Sequence, residues 1–188
     1  MATSAGVRIG VLASGSGTNL QAILDADLPV VAVITDRPDV AALERAAAKG
    51  IPTGVVDRSA YLPDRDAFTR AITDALVEHR VDLVAMAGFM TVLTEPIFAA
   101  FPGRVINTHP SLLPAFRGAH AVPDALAAGV KVTGCTIHVA TLEVDDGPIL
   151  AQETVPVLPG DDVDALHERI KAVEHRLYPR AIREFTPA

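Results

Sequence analysis

The sequence predicts an α/β domain built on a doubly wound, mostly parallel sheet, with an antiparallel hairpin in its C-terminal part. Three observations predict it. Apolar runs at 8–14, 30–35, 53–56, 82–87 and 104–109 alternate with helical segments near 18–26, 39–49 and 64–79, and strands that alternate with helices build parallel sheets. Those runs are continuously apolar, as strands covered on both faces are. After Pro114 and a helix at 121–128, "KVTGCTIHVA" and "GPILAQETVPV" are two β-rich runs joined by "TLEVDDG", the pattern of a hairpin.

The first strand, "RIGVLAS" (8–14), runs into a glycine-rich turn and a helix, "ASGSGTNLQAIL" (13–24). Glycines let the backbone pass close to a ligand, and the free amides of a helix start attract phosphate. Gly15 and Gly17 match the first two glycines of a dinucleotide fingerprint and Asp36 follows about twenty residues on, but Leu20 stands where the third glycine belongs. The lysine of a nucleoside-triphosphate loop is missing too. A tight turn, a phosphate cradle and a dinucleotide site all remain open. "VVAVIT" (30–35), "TGVV" (53–56) and "DLVAMA" (82–87) supply the next strands. Ligands of such sheets sit outside the carboxyl ends of the strands, where the strand order reverses.

"RVINTH" (104–109) ends in a loop closed by prolines, "PSLLP". Side chains two apart on a strand share a face, so Asn107 and His109 point together and Thr108 points away. A fixed amide donor stabilises charge developing on a carbonyl oxygen, and an imidazole serves as acid or base near neutrality. A strand end in which Asn caps a turn and His satisfies the backbone fits the same pattern.

In the hairpin turn "EVDDGP" (143–148), Asp145 is the candidate carboxylate to orient His109 and favour its charged form. Glu143 and Asp146 read as solvated turn residues. Cys135 alternates with Ile137 and Val139 and reads as a buried, inert thiol, and His138 in the same run as a structural histidine. His109, His120, His138 and Asp145 lack the close spacing of metal ligands, so no metal is expected. In the last helix Val163, Leu166, Ile170, Val173 and Leu177 form an apolar stripe, and Asp161 and Asp162 suit its positive end. His167, Lys171, Glu174 and Tyr178 form a second stripe, so Glu174 either borders a site or is a solvated carboxylate.

A length of 188 residues with 49% hydrophobic content fits one domain spanning 1–188. A net charge of −7 excludes a general nucleic-acid surface, and any anionic ligand needs a local site. One cysteine rules out an internal disulfide. No apolar stretch reaches the roughly 18 residues of a membrane helix, and the first residues lack a signal-peptide pattern. The expectation is a soluble, cytoplasmic protein with small-molecule substrates, no membrane or nucleic-acid partner, and a monomeric or homodimeric state.

Five motifs in order, "SGSGTNLQAIL", "LVAMAGFMTVLTEPIF", "RVINTHPSLLPAFRGAHA", "GCTIHVATLEVDDGPILAQETVPV" and "RIKAVEHRLYP", resemble the phosphoribosylglycinamide formyltransferase family over about Arg8 to Phe185. The middle motifs are shared by the folate-dependent formyltransferase superfamily. The resemblance implies the Rossmann-like formyltransferase fold and transfer of a formyl group from the co-substrate 10-formyltetrahydrofolate to the amine of glycinamide ribonucleotide, a step of purine synthesis, with no metal. It implies catalytic roles for Asn107, His109 and Asp145. The substrate phosphate would lie on Gly17, Thr18 and Asn19, with Glu174 at the ribose. Folate would lie against Arg65, Met90, Thr91, Val92, Leu93, Asn107 and the 140–145 loop. The phosphate-binding half is then about 1–100, and the folate-binding and catalytic half about 101–188. The alternative is formyltetrahydrofolate deformylase, a hydrolase; its members usually carry an N-terminal regulatory domain, for which a first strand at about Arg8 leaves no room. Thr91 stands where some relatives carry a basic residue, and relatives often continue past the point matching "REFTPA".

Overall fold

The computed structural model describes residues 6–185. Met1–Ala5 and Thr186–Ala188, and with them most of the stretch read for a leader and the last residues of "REFTPA", lie outside the described residues. The elements are β1 (Ile9–Ala13), α1 (Thr18–Asp25), β2 (Val30–Thr35), α2 (Ala41–Ala48), β3 (Thr53–Val55), a 3-10 turn (Arg58–Tyr61), α3 (Arg65–Glu78), β4 (Leu83–Met86), α4 (Glu95–Ala100), β5 (Val105–His109), α5 (Ala121–Ala127), β6 (Val132–Val139), β7 (Ile149–Pro156) and α6 (Val163–Glu184).

The seven strands form one sheet in the order β3-β2-β1-β4-β5-β6-β7. The first five positions are joined by parallel pairs, and β5–β6 and β6–β7 are antiparallel. The predicted doubly wound sheet and its added hairpin are therefore present. The chain winds outward from β1 to β3 and then returns to the other side of β1 at β4. The strand order thus reverses between β1 and β4, and the turns after both strands open onto the same crevice.

Two apolar layers cover the sheet. One joins β1 and β5 residues such as Val11 and Ile106 to Leu20 and Ile23 of α1 and to Leu166, Ile170 and Leu177 of α6. The other joins Leu12 and Val84 to Phe68, Ile72 and Leu76 of α3 and Ile97 of α4. Every residue of β1 and β4 is buried, which explains their unbroken hydrophobicity. β3 departs from the expected two-sided burial: it is the edge strand, and Thr53 and Val55 are exposed.

Two helical features are absent from the sequence reading. α4 has only six residues, too short for a periodic signal, although Glu95 and Pro96 in its first turn are helix-start residues. α6 continues past "RLYP" through Pro179 to Glu184. An internal proline costs about 3 kcal/mol, and burial of Pro179 itself and of Ala181 and Ile182 beyond it offsets that cost. Asp162 caps this helix by accepting from the Ala165 N–H at 2.8 Å. Val163, read as the start of the apolar stripe, is exposed, whereas Leu166, Ile170, Val173 and Leu177 are buried. Among the described residues, no helix is long and apolar enough to cross a membrane.

Candidate active site

A cleft of about 690 Å³ opens at the carboxyl ends of β1, β4 and β5. Its floor begins with the turn after β1. The Ser14 N–H donates to the Gly88 carbonyl at 3.1 Å, and Ser14 Oγ accepts from the Met90 N–H at 2.9 Å, so the turns after β1 and β4 are tied together. Gly17 has φ 68°, and a Cβ there would lie 2.8 Å from the Ala42 Cα. Both facts demand glycine. No side chain caps α1, which leaves the first amides of that helix for an anion.

Asn19 and Thr108 converge on Glu174 from two other elements. Asn19 Nδ2 donates to Glu174 Oε2 at 3.1 Å, and Thr108 Oγ1 donates to Glu174 Oε1 at 2.9 Å. Glu174 is 4% exposed, which removes the solvated-carboxylate reading. Asn19 Oδ1 is buried with no partner among the described residues, so a ligand donor has an acceptor beside Glu174. Asp36, the acidic residue of the dinucleotide reading, is fully buried and its Oδ2 accepts from Thr91 Oγ1 at 2.6 Å. It presents no carboxylate to a ribose.

Asn107 and His109 share the cleft face of β5 as the strand period requires, while Thr108 points to α6. His109 Nε2 lies 2.8 Å from the Phe116 carbonyl and Nδ1 lies 3.3 Å from Asp145 Oδ2. Both neighbours present oxygen acceptors to the ring. The same Asp145 Oδ2 accepts from the Gly118 N–H at 2.8 Å. Burial raises the Asp145 carboxyl, but the hydrogen bond from His138, the Gly118 amide and the charge of His109 outweigh it and hold the carboxyl below its ordinary value. Glu143 and Asp146 are exposed, and Asp146 pairs with Arg117 at the surface.

His138, expected as a structural histidine, lies against two of the candidate catalytic residues, a placement the sequence reading did not include. It is 1% exposed, and its Nε2 lies 3.3 Å from Asn107 Nδ2 and 3.5 Å from Asp145 Oδ1. Nδ1 lies 3.0 Å from the Val139 carbonyl, so the ring is held in place and its Nε2 stands between the Asn107 amide and the Asp145 carboxylate. The signal that could have found it is strand register, because Asn107 pairs with His138 across β5–β6. Register between strands thirty residues apart is not legible in the strands themselves.

Met90, Thr91, Val92 and Leu93 all line the cleft, opposite Ala140, Thr141 and Val144. Met90, Val92 and Val144 are exposed and make its mouth apolar. Arg65 does not line the cleft; its Nη2 donates to the Val92 carbonyl at 3.1 Å and supports the loop from outside. Arg37 and Lys171, two cations not singled out as ligand contacts from the sequence, do line it. Cys135 is buried, and burial first, then the nearby Glu174, push its thiol up to about 12. Among the described residues, no group of three His, Cys, Asp or Glu side chains is arranged to hold a metal ion.

Residues 7–182 match the family described as formyl transferase. A phosphoribosylglycinamide formyltransferase of Mycobacterium tuberculosis is 53% identical over 184 residues, which cover 95% of this chain and 85% of that protein. The human trifunctional purine biosynthetic protein adenosine-3 is 43% identical over 182 residues, 94% of this chain but 18% of that much longer one. The crystal structure of glycinamide ribonucleotide transformylase 1 from Symbiobacterium toebii superposes with a TM-score of 0.91 at 53% identity, covering 94% of this chain and 86% of that one.

Proposed function

The chain belongs to the formyl transferase family, and we infer that it moves the formyl group of 10-formyltetrahydrofolate onto the amine of glycinamide ribonucleotide, giving the formylated amide and tetrahydrofolate in purine synthesis. The observation that carries this reading is one cleft holding the uncapped start of α1, the buried Glu174, and the Asn107, His109 and Asp145 cluster. An anionic head, a polar ribose and a reacting carbonyl each meet a suitable surface.

The substrate phosphate lies on the amides of Gly17, Thr18 and Asn19, and the ribose hydroxyls reach Glu174 and Asn19 Oδ1. The folate lies in the apolar mouth formed by Met90, Thr91, Val92 and Leu93, with Arg65 bracing that loop. The amine nitrogen attacks the formyl carbon, and the carbonyl pair becomes an oxyanion. An N–H of Asn107 and the Nε2–H of His109 receive it. In the free protein the Phe116 carbonyl takes that Nε2–H, so the substrate oxygen replaces it as acceptor. The Asp145 carboxylate faces His109 Nδ1, where it stabilises positive charge developing on the ring, and takes up, through water, the proton that the amine loses. Collapse of the intermediate breaks the bond to the folate nitrogen, which leaves with that proton, returned from Asp145 through the same water. Alignment of the two substrates contributes roughly 7 to 11 kcal/mol in well-oriented pairs.

The test is a transfer assay with and without glycinamide ribonucleotide. Tetrahydrofolate and formylated product should appear in equal amounts only when the amine is present. Formate released without the amine would instead mark a hydrolase, a reading that no observation here favours. Absence of both products would remove the formyl-transfer reading.

A further inference from the structure

A second groove, of about 580 Å³, runs between α1, α2 and α6 and shares only Thr18 with the cleft. Four guanidinium groups line it: Arg45, Arg176, Arg180 and Arg183. The last three stand at i, i+4 and i+7 on α6, so they share a helix face over about 10 Å. Opposing carboxylates are few. Asp25 lines the groove and accepts from Gln21 Nε2 at 2.8 Å, and Glu153 pairs with Arg176. Arg180 is exposed and has no ion pair among the described residues. In a chain of net charge −7, this local excess of positive charge runs against the overall balance, and such patches concentrate anions.

We propose that this groove is a second anion site, built for a linear polyphosphate, either free or as the tail of a nucleotide. The planar fork of arginine matches phosphate oxygens two at a time. A stripe of guanidinium groups about 10 Å long outreaches one phosphate and suits a chain of them. Arg45 connects this groove to the turn after β1: its Nε donates to the Ser16 carbonyl at 2.8 Å and its Nη1 to Gln21 Oε1 at 3.1 Å. A polyphosphate that draws Arg45 away from Ser16 loosens the turn beside Gly17. Occupancy of the groove therefore weakens binding of the phosphorylated amine substrate, and by reciprocity that substrate weakens polyphosphate binding. This coupling rests on the proposed function, whereas the site itself does not.

Calorimetric titration with inorganic tripolyphosphate tests the site. Wild-type protein should bind it, Arg180→Gln should weaken binding roughly ten-fold, and Lys171→Gln, in the cleft, should leave it nearly unchanged. Circular dichroism of Arg180→Gln controls for folding, which an exposed side chain should not disturb. A parallel titration with ATP distinguishes the sources: equal affinity assigns recognition to the phosphates alone, and tighter binding extends it to the nucleoside. In transfer assays, tripolyphosphate should raise the KM for the amine substrate in wild type and much less in Arg180→Gln. No binding, or binding lost in Lys171→Gln and retained in Arg180→Gln, overturns the proposal. A protein without transfer activity that still binds through Arg180 removes the functional reading and leaves the site standing.

Discussion

Replacing Asp145 by Asn isolates one charge in the cleft. Asp145 Oδ2 serves both His109 Nδ1 and the Gly118 N–H, while Oδ1 faces His138 Nε2 at 3.5 Å. An Asn that keeps its oxygen at the Oδ2 position retains the first two contacts. The hydrogen-bond frame survives and the negative charge is lost. At the 3.3 Å that separates the carboxylate from His109 Nδ1, two unit charges attract by about 5 kcal/mol at an effective dielectric of about 20. Solvent relaxation and the retained hydrogen bonds reduce that, and a loss of roughly 3 kcal/mol corresponds to a fall of about a hundred-fold in kcat/KM. The assay is steady-state formyl transfer, with circular dichroism and the melting temperature as controls for folding. A variant that folds normally and keeps kcat/KM within about three-fold of wild type would refute the assigned electrostatic role.

Three further outcomes are expected. Glu174→Ala leaves Asn19 Nδ2 and Thr108 Oγ1 without their buried acceptor, which should cost about 2 to 4 kcal/mol of stability and raise the KM for the phosphorylated substrate; Glu174→Gln, whose oxygen still accepts from Thr108, should recover most of the stability in chemical denaturation. Cys135, with its thiol pushed up to about 12 by burial, should resist iodoacetamide at pH 8 in the native protein and react on unfolding, as read by mass spectrometry; rapid native labelling would contradict the packing around β6. Asp161 is held at about 2, below its model-compound value of 3.8, mainly by the paired hydrogen bonds from Arg169. The unfolded chain takes up its proton first, so the stabilisation is present above pH 3.8 and lost as pH falls toward about 2; melting curves of Asp161→Asn should be flatter across that window than those of wild type, and an unchanged slope would deny the pair any role.

Much of the fold is legible in the sequence because its determinants are local. Strands buried on both faces carry unbroken Val, Ile, Leu and Ala runs, and β2 falls at Val30–Thr35, the run predicted for it. The common face of Asn107 and His109 follows from strand period alone, and the suitability of the Gly15–Asn19 turn for an anion follows from glycine and a helix start. Short or marginal elements escape the same reasoning: α4 has no room for a period, and α6 crosses Pro179 because tertiary burial outweighs a local penalty.

What only the tertiary structure decided concerns partners distant in the chain. Asp36, which stands at the acidic position of a dinucleotide fingerprint, is buried against Thr91, fifty-five residues away, and Glu174 lies under Asn19 and Thr108 instead of in solvent. Arg65 grips the back of a loop instead of facing the cleft. His138, a structural histidine by pattern, stands between Asn107 and Asp145 because the register of β5 against β6 puts it there. Hydrophobic period and backbone preference act within a few residues and are written in the sequence. Register, the packing of α6 on the sheet and the pairing of buried polar groups depend on which surfaces the whole chain brings together, and no short stretch of residues encodes them.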